Sequence, residues 1–141
     1  MRVLICGSRD WDDGGCEERA IAEFVAGLGD NAVVIHGDAP GADTTAGRRA
    51  EERGLVVEAY PAAWHKYGKA AGPIRNRQML VEGKPDFMVA FVRDLATTRG
   101  TKDMLLQAWK AELPTGIYVA GRGWLQPGAR SALRQQWAKR G

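Results

Sequence analysis

Long apolar runs are missing from this chain: none approaches the roughly 20 residues a membrane-spanning helix requires. The opening run, Val3-Leu4-Ile5-Cys6, stops at Gly7 and is too short for the apolar core of a secretory signal. A cytoplasmic protein with no membrane partner is therefore expected. Cysteine is scarce, with only Cys6 and Cys16. A chain of 141 residues can bury enough surface to fold without disulfides. Cys6 is expected at the end of a buried strand and Cys16 near a helix start, and neither is assigned a role. His36 and His65 stand alone, without ligand spacing to other histidines or cysteines, so no metal is expected. Neither the G-x-G-x-x-G fingerprint nor the P-loop G-x-x-x-x-G-K-[ST] is present, which removes the usual warrant for a nicotinamide or ATP reading. No cofactor is expected. Acidic residues, finally, are absent from 113 to 141, which hold 5 basic side chains, whereas residues 1 to 112 hold 17 acidic and 15 basic ones.

What is present is an alternation. Val3 to Cys6, Ala32 to His36, Leu55 to Tyr60, Phe87 to Val92 and Ile117 to Ala120 are short, nearly continuous apolar runs, the pattern of strands buried on both faces. Between them lie stretches with helical spacing: Ile21, Phe24, Val25 and Leu28; then Ala42 to Arg53, Arg75 to Val81 and Met104 to Leu113. Strand and helix alternating in this way give right-handed crossovers and a mostly parallel sheet. The expected fold is α/β, a Rossmann-like three-layer sandwich with a sheet of about five strands and a C-terminal helical tail. A domain over residues 1–121 and a basic helical extension over 122–141 are expected.

Four of the strands break off into a glycine-containing polar loop that leads to a helix: Gly7-Ser8-Arg9-Asp10, Gly37 to Asp43, Gly72 to Asn76, and Arg99-Gly100-Thr101. In an open parallel sheet the carboxyl ends of the strands share one rim, so these loops should converge. At the second break a helix opening near Ala42 would point free N–H groups into the Gly37–Gly41 loop, which suits an anion. Asp43 reads either as a first-turn acid that complements the helix dipole or as an acceptor for ribose hydroxyls. At the third break Pro73 suits a first helical position, which puts Arg75 and Asn76 in the first turn, where a cation gains nothing from the dipole. Arg75 could fork onto a phosphate or carboxylate, with a salt bridge to Glu82 or Asp86 as the structural alternative; Asn76 could orient a base or sugar. Trp64 suits stacking on a planar ring. Arg9, Gly100 and Thr101 complete the rim, although capping alone would also explain Thr101.

The tail offers two readings. Arg122, Arg130, Arg134, Lys139 and Arg140, interleaved with Trp124 and Trp137, could contact phosphates and stack on bases. Alternatively Ala129, Leu133 and Trp137, recurring every four positions, make an amphipathic helix that docks on its own domain or on a second copy.

Taken together, Gly7-Ser8-Arg9, Gly37-x-x-x-Gly41-Ala42-Asp43, Trp64, Gly72-Pro73-x-Arg75-Asn76 and Arg99-Gly100-Thr101 resemble the YspA-like branch of the SLOG superfamily. That superfamily joins Rossmann-like domains related to the DNA-processing protein DprA and to the cytokinin-activating LOG phosphoribohydrolases. The resemblance implies a nucleotide or nucleotide-derived, ADP-ribose-like ligand held by Gly7, Ser8, Arg9, Gly37, Gly41, Asp43, Arg75, Asn76, Gly100 and Thr101. The LOG motif P-G-G-x-G-T-x-x-E is matched only at its centre. Ala96, Thr97 and Thr98 replace its start, and Met104 stands where its glutamate belongs. Methionine can neither activate water nor stabilise an oxocarbenium-like centre. Asp103 is rotated by about 100° on the helix and should point elsewhere.

The leading expectation is a sensor or sequestering protein for a nucleotide-derived molecule. The alternatives are a LOG-like hydrolase of nucleoside 5′-monophosphates, with Arg75 and Asp43 (or Asp10) as its catalytic groups, and DprA-like nucleic-acid binding through Arg130, Arg134, Lys139 and Arg140. Self-association into a homo-oligomer is expected in addition.

Overall fold

The protein's structure, a computed structural model, describes residues 1–11 and 18–140. Cys16 lies outside the described residues. The elements run in the order β1 (Arg2–Gly7), α1 (Glu18–Ala26), β2 (Val33–His36), α2 (Ala42–Glu52) and β3 (Val56–Ala59). Then follow α3 (Trp64–Tyr67), a 3₁₀ turn (Gly68–Ala70), α4 (Ala71–Val81), β4 (Phe87–Val92), α5 (Arg99–Lys110), β5 (Thr115–Val119), β6 (Gly123–Trp124) and α6 (Pro127–Arg140).

The described strands form one sheet of six in the order β3-β2-β1-β4-β5-β6. All neighbours are parallel except β5 and β6, which pair antiparallel through Tyr118 opposite Trp124 and Val119 opposite Gly123. The short β6 carries no periodicity for the sequence to reveal. Across this pair Tyr118 and Trp124 meet edge to face, their ring centroids 5.4 Å apart, and the Trp124 ring also packs against Phe24 and Phe91.

Both faces of the sheet are covered, which explains why its central strands read as unbroken apolar runs. Side chains alternate across β1: Val3 and Ile5 pack with Ile21, Val25, Ala46 and Phe91 under α1 and α2, while Leu4 and Cys6 pack with Met79, Met104, Leu105 and Ile117 under α4 and α5. The result is a three-layer α/β sandwich. Trp137 of α6 joins the second of these clusters, 5.8 Å from the ring of Trp109.

The central pair, β1 and β4, is where strand order reverses: chain progress from β1 runs outward through β2 and β3, then returns across to β4. In open α/β sheets a crevice opens outside the carboxyl ends of the strands at such a reversal. Its walls here are the segments that follow β1, β2, β3 and β4. The glycine at the end of β1 is obligatory for that geometry. A Cβ on Gly7 would come within 2.0 Å of the Phe91 carbonyl oxygen and 2.7 Å of the Ala42 side chain.

One boundary differs from the expectation in a way that matters. Helix α4 begins at Ala71, so Pro73 is its third residue, and Arg75 and Asn76 are its fifth and sixth. Proline is tolerated there because first-turn N–H groups have no intrahelical partner to lose. Arg75 therefore does not sit at the positive end of the helix dipole, and its role comes from where its side chain goes.

Candidate ligand-binding site

A cleft of about 400 Å³ opens at the reversal point, lined by Cys6 to Asp10 after β1, Ala39 and Asp43 before and within α2, Arg75, Asn76 and Met79 on α4, and Thr97 to Thr101 with Met104 at the start of α5. Its floor is apolar, with Met79 and Met104 each 1% exposed. Its walls are polar, and several of the polar groups are buried: Arg75 is 8% exposed, and Asp43 and Asn76 are 4% exposed.

The loop after β2 is folded around one carboxylate. Asp43 reaches back from the first turn of α2, and its Oδ2 accepts the N–H groups of Gly37 at 2.9 Å and Ala39 at 3.5 Å. The amide of Ala42 donates to the Ser8 carbonyl at 3.1 Å, and that of Thr44 to the Ala39 carbonyl. Four of the donors that could have held an outside anion are thus taken up by the chain itself, with Asp43 as the resident anion for two of them. Gly41 makes the juxtaposition of loops feasible. It has φ of +83°, and a Cβ there would lie 2.4 Å from the Ser8 carbonyl oxygen. Burial pushes the Asp43 carboxyl up to about 6; the Arg75 charge, the two N–H groups and Arg9 restrain the rise without cancelling it.

Arg75 is held from two directions. Its Nη1 donates to the Gly37 carbonyl, and its Nε donates to Asn76 Oδ1 at 3.0 Å. Asn76 in turn donates through Nδ2 to the Gly100 carbonyl at 3.3 Å and to Asp103 Oδ2 at 2.9 Å. One chain of bonds therefore links the β2 loop, α4 and α5. Nη2 of Arg75 has no partner among the described residues, and the side chain forms part of the cleft wall. Burial draws the guanidinium pKa below its ordinary value, with Asp43 opposing, yet arginine stays protonated.

The start of α5 is an open helix end on this rim. Thr98 is its N-cap and makes no side-chain cap bond, while the amides of Gly100 and Thr101 meet no acceptor among the described residues. Such amides, at the positive end of a helix, favour a negative group.

A sequence profile of the YspA, cpYpsA-related SLOG family matches residues 1–67, the part that holds the loops after β1 and β2. Gene 61 protein of Mycobacterium phage D29 is 37% identical over 118 residues, 80% of this chain and 92% of that protein. The chain belongs to the YspA, cpYpsA-related SLOG family. Among solved structures, the DNA processing protein A (DprA) of Streptococcus pneumoniae matches 95% of this chain with a TM-score of 0.66 at 17% identity. The chain spans 56% of that protein's length, and the likeness is one of fold.

Within this SLOG fold, the sequence-derived candidates divide into groups. Gly7, Ser8, Arg9, Asp43, Arg75, Asn76, Gly100 and Thr101 meet around one cleft. Asp10 lies on its rim as well. Gly37 and Gly41 stand behind the wall, the first joining Asp43 to Arg75 and the second fitting against Ser8 and Arg9. Trp64, 47% exposed, lies outside the lining and meets the rim through Arg9, whose guanidinium is 5.4 Å from its ring centroid. Ser8 supports the floor: its Oγ accepts the Arg93 N–H at 2.9 Å. Neither Glu82 nor Asp86 pairs with Arg75; they accept from Gln78 and from the Arg2 amide instead. Asp103 faces Asn76 and Gln107 rather than the cleft, and Met104 takes the inward position.

Sequence reasoning passed over Cys6, Met79, Thr97 and Thr98 as lining residues. The methionines carry an ordinary core signal, and the threonines precede a helix with no motif of their own. Burial pushes the Cys6 thiol well above its usual range, which leaves it unreactive at neutral pH.

Two of the tail arginines are engaged with the fold. Arg130 donates to the Leu125 carbonyl at 3.3 Å and Arg134 to the Trp109 carbonyl at 3.4 Å, while Trp137 is buried. The side chains of Lys139 and Arg140 lie outside the described residues. No helix among the described residues is long and apolar enough to cross a membrane.

Proposed function

We propose that the cleft binds a nucleotide or nucleotide-derived small molecule through its phosphate, and that the protein acts as a sensor or sequestering protein. The observation that carries this reading is Arg75. A buried, charged guanidinium is clamped on two of its three nitrogens and offers the third to a cleft that also presents the free amides of Gly100 and Thr101. Clamping removes the entropy cost of ordering a long side chain, so the group is pre-organised for an anion. The apolar floor of Met79 and Met104 suits the face of a sugar or base, since methionine packs well against irregular and aromatic shapes.

The test is calorimetric titration of the folded protein with nucleoside 5′-monophosphates, ADP-ribose and cyclic ADP-ribose isomers. Binding of at least one, weakened on the order of tenfold or more by Arg75→Ala, is expected. A folded sample that binds none of them overturns the reading.

One observation favours a second reading, hydrolysis of the N-glycosidic bond. Asp43, with its carboxyl pushed up to about 6, is close to the working range of a general acid or base, and it borders the same cleft. Against it stand the commitment of Oδ2 to two backbone amides and a methionine, Met104, on the inward face of α5. Release of free base from a nucleoside 5′-monophosphate, lost in Asp43→Asn, would establish hydrolysis. Intact nucleotide after prolonged incubation leaves binding alone.

A further inference from the structure

A second groove, of about 460 Å³, lies between the start of α5 and the tail helix α6, and the two cavities share Thr98 and Arg99 as a common wall. Its floor is formed by Leu133 and Trp137 of α6, and Gln136 stands at its side. Lys102, one turn along α5 from Thr98, is 5.5 Å from the Trp137 ring centroid and brings a positive charge to the groove.

We propose that this groove receives the second half of a two-part ligand: a nucleoside phosphate occupies the first cleft, and a second ring system, joined to it through phosphates, lies beneath α6. The inference rests on the ligand reading above and adds the length and chemistry of the molecule.

Three observations support it. The first cleft alone is near the small end of the ~300–1,000 Å³ typical of small-molecule sites, whereas the two cavities together approach the upper end. The wall they share is the first turn of α5, which holds Arg99 and Lys102, no acidic residue, and two free amides. Cations at the positive end of a helix are mildly disfavoured, and a bridging phosphate group laid along that turn would neutralise both charges and accept from the amides. Lastly, an apolar floor beside one carboxamide matches a flat heterocycle. Leu133 and Trp137 cover a face, and Gln136 can both donate to and accept from a ring edge.

The experiment compares AMP with diadenosine diphosphate, two adenosines joined through a pyrophosphate, by calorimetry on the full chain, in wild type and in Lys102→Ala, Gln136→Ala and Ala96→Trp. The last substitution places a bulky ring in the groove from Ala96, an exposed position on its edge. Diadenosine diphosphate is expected to bind wild type on the order of tenfold tighter than AMP. That advantage should shrink to about twofold or less in Lys102→Ala, Gln136→Ala and Ala96→Trp while AMP affinity is retained. Equal affinity of the two molecules for wild type, or an advantage that survives in both Lys102→Ala and Gln136→Ala, overturns the groove assignment and leaves the first cleft as the site. Failure of both molecules to bind wild type overturns the ligand reading and the groove with it. Lys102→Ala and Gln136→Ala alter a half-buried and an exposed side chain, so they decide the matter even if Ala96→Trp does not fold.

Discussion

Arg75 and Asn76 are neighbours in sequence and bonded to each other through their side chains, with Arg75 Nε donating to Asn76 Oδ1 at 3.0 Å. Adjacent helix residues do not ordinarily face one another. They do so here because both side chains turn off α4 into the same buried corner, where Gly37 holds the far side of the guanidinium and Gly100 with Asp103 hold the far side of the carboxamide. Asn76 is in this sense a positioning residue, and Arg75 is the group it positions.

Removing that carboxamide should be felt in stability and in binding. Asn76→Ala deletes the acceptor for Arg75 Nε and the donor to Gly100 and Asp103, leaving buried polar groups without partners. A loss of roughly 2–4 kcal/mol is expected from urea titration. AMP affinity should fall even under conditions where the variant remains folded. An unchanged denaturation midpoint would show that the network adds nothing to the fold.

Glycine substitutions should separate packing from access. Gly7→Ala forces a Cβ to within 2.0 Å of the Phe91 carbonyl oxygen, and Gly41→Ala combines φ of +83° with a clash at 2.4 Å. Each should cost more than about 3 kcal/mol or prevent folding. Gly100→Ala meets nothing within 4 Å and lies in a helix, so it should be neutral or stabilise by up to about 1 kcal/mol. Thermal melts of the three variants give the comparison. A Gly100 variant as unstable as the other two contradicts the geometry.

Asp43 gives the fold a pH dependence of definite sign. Its pKa rises from an ordinary 3.8 to about 6 on folding, so the folded chain binds more protons than the unfolded chain between those values. Its contribution to stability is therefore full below about pH 4 and is lost as pH rises through about 6, a change on the order of a few kcal/mol. Denaturation midpoints measured from pH 4 to pH 7 should show this slope in wild type, and Asp43→Asn should remove it. Persistence of the slope in that variant assigns it to other groups.

Trp137 anchors α6. Its ring is 5% exposed and packs on Trp109 at 5.8 Å, so Trp137→Ala should cost roughly 3–5 kcal/mol. The loss should appear in the global unfolding transition followed by near-ultraviolet circular dichroism. A separate, earlier transition of the tail, with the main one unmoved, would show that α6 is not part of the core.

The alternation of Val- and Ile-rich runs with helical spacing was enough to place β1 to β5 and their parallel sense, because the central strands β1, β2 and β4, covered on both faces, have little polar side to disguise them. Phe87–Val92 coincides with β4 as formed. β6 was not legible: two residues hold no period, and the pairing depends on Trp124 meeting Tyr118. The start of α4 was placed two residues late because Pro73 was read as a first position, when a third is equally permissible.

For the site, residue types and loop positions were legible, and partners were not. Glycine breaks after β1 to β4 determined that Ser8, Asp43, Arg75 and Gly100 would gather on one rim, since a parallel sheet puts all its carboxyl ends there. Sequence could not show that Asp43 would turn back to hold Gly37 and Ala39, which fills part of the loop before α2 with the chain's own carboxylate. Nor could it show that Trp137 would line a second groove along the wall made by Arg99. Periodicity reports which face of an element is buried. Which hydrogen bonds are made across elements is settled only when α2, α4, α5 and α6 are packed at fixed distances, because a donor's partner is whatever acceptor that packing brings within about 3 Å.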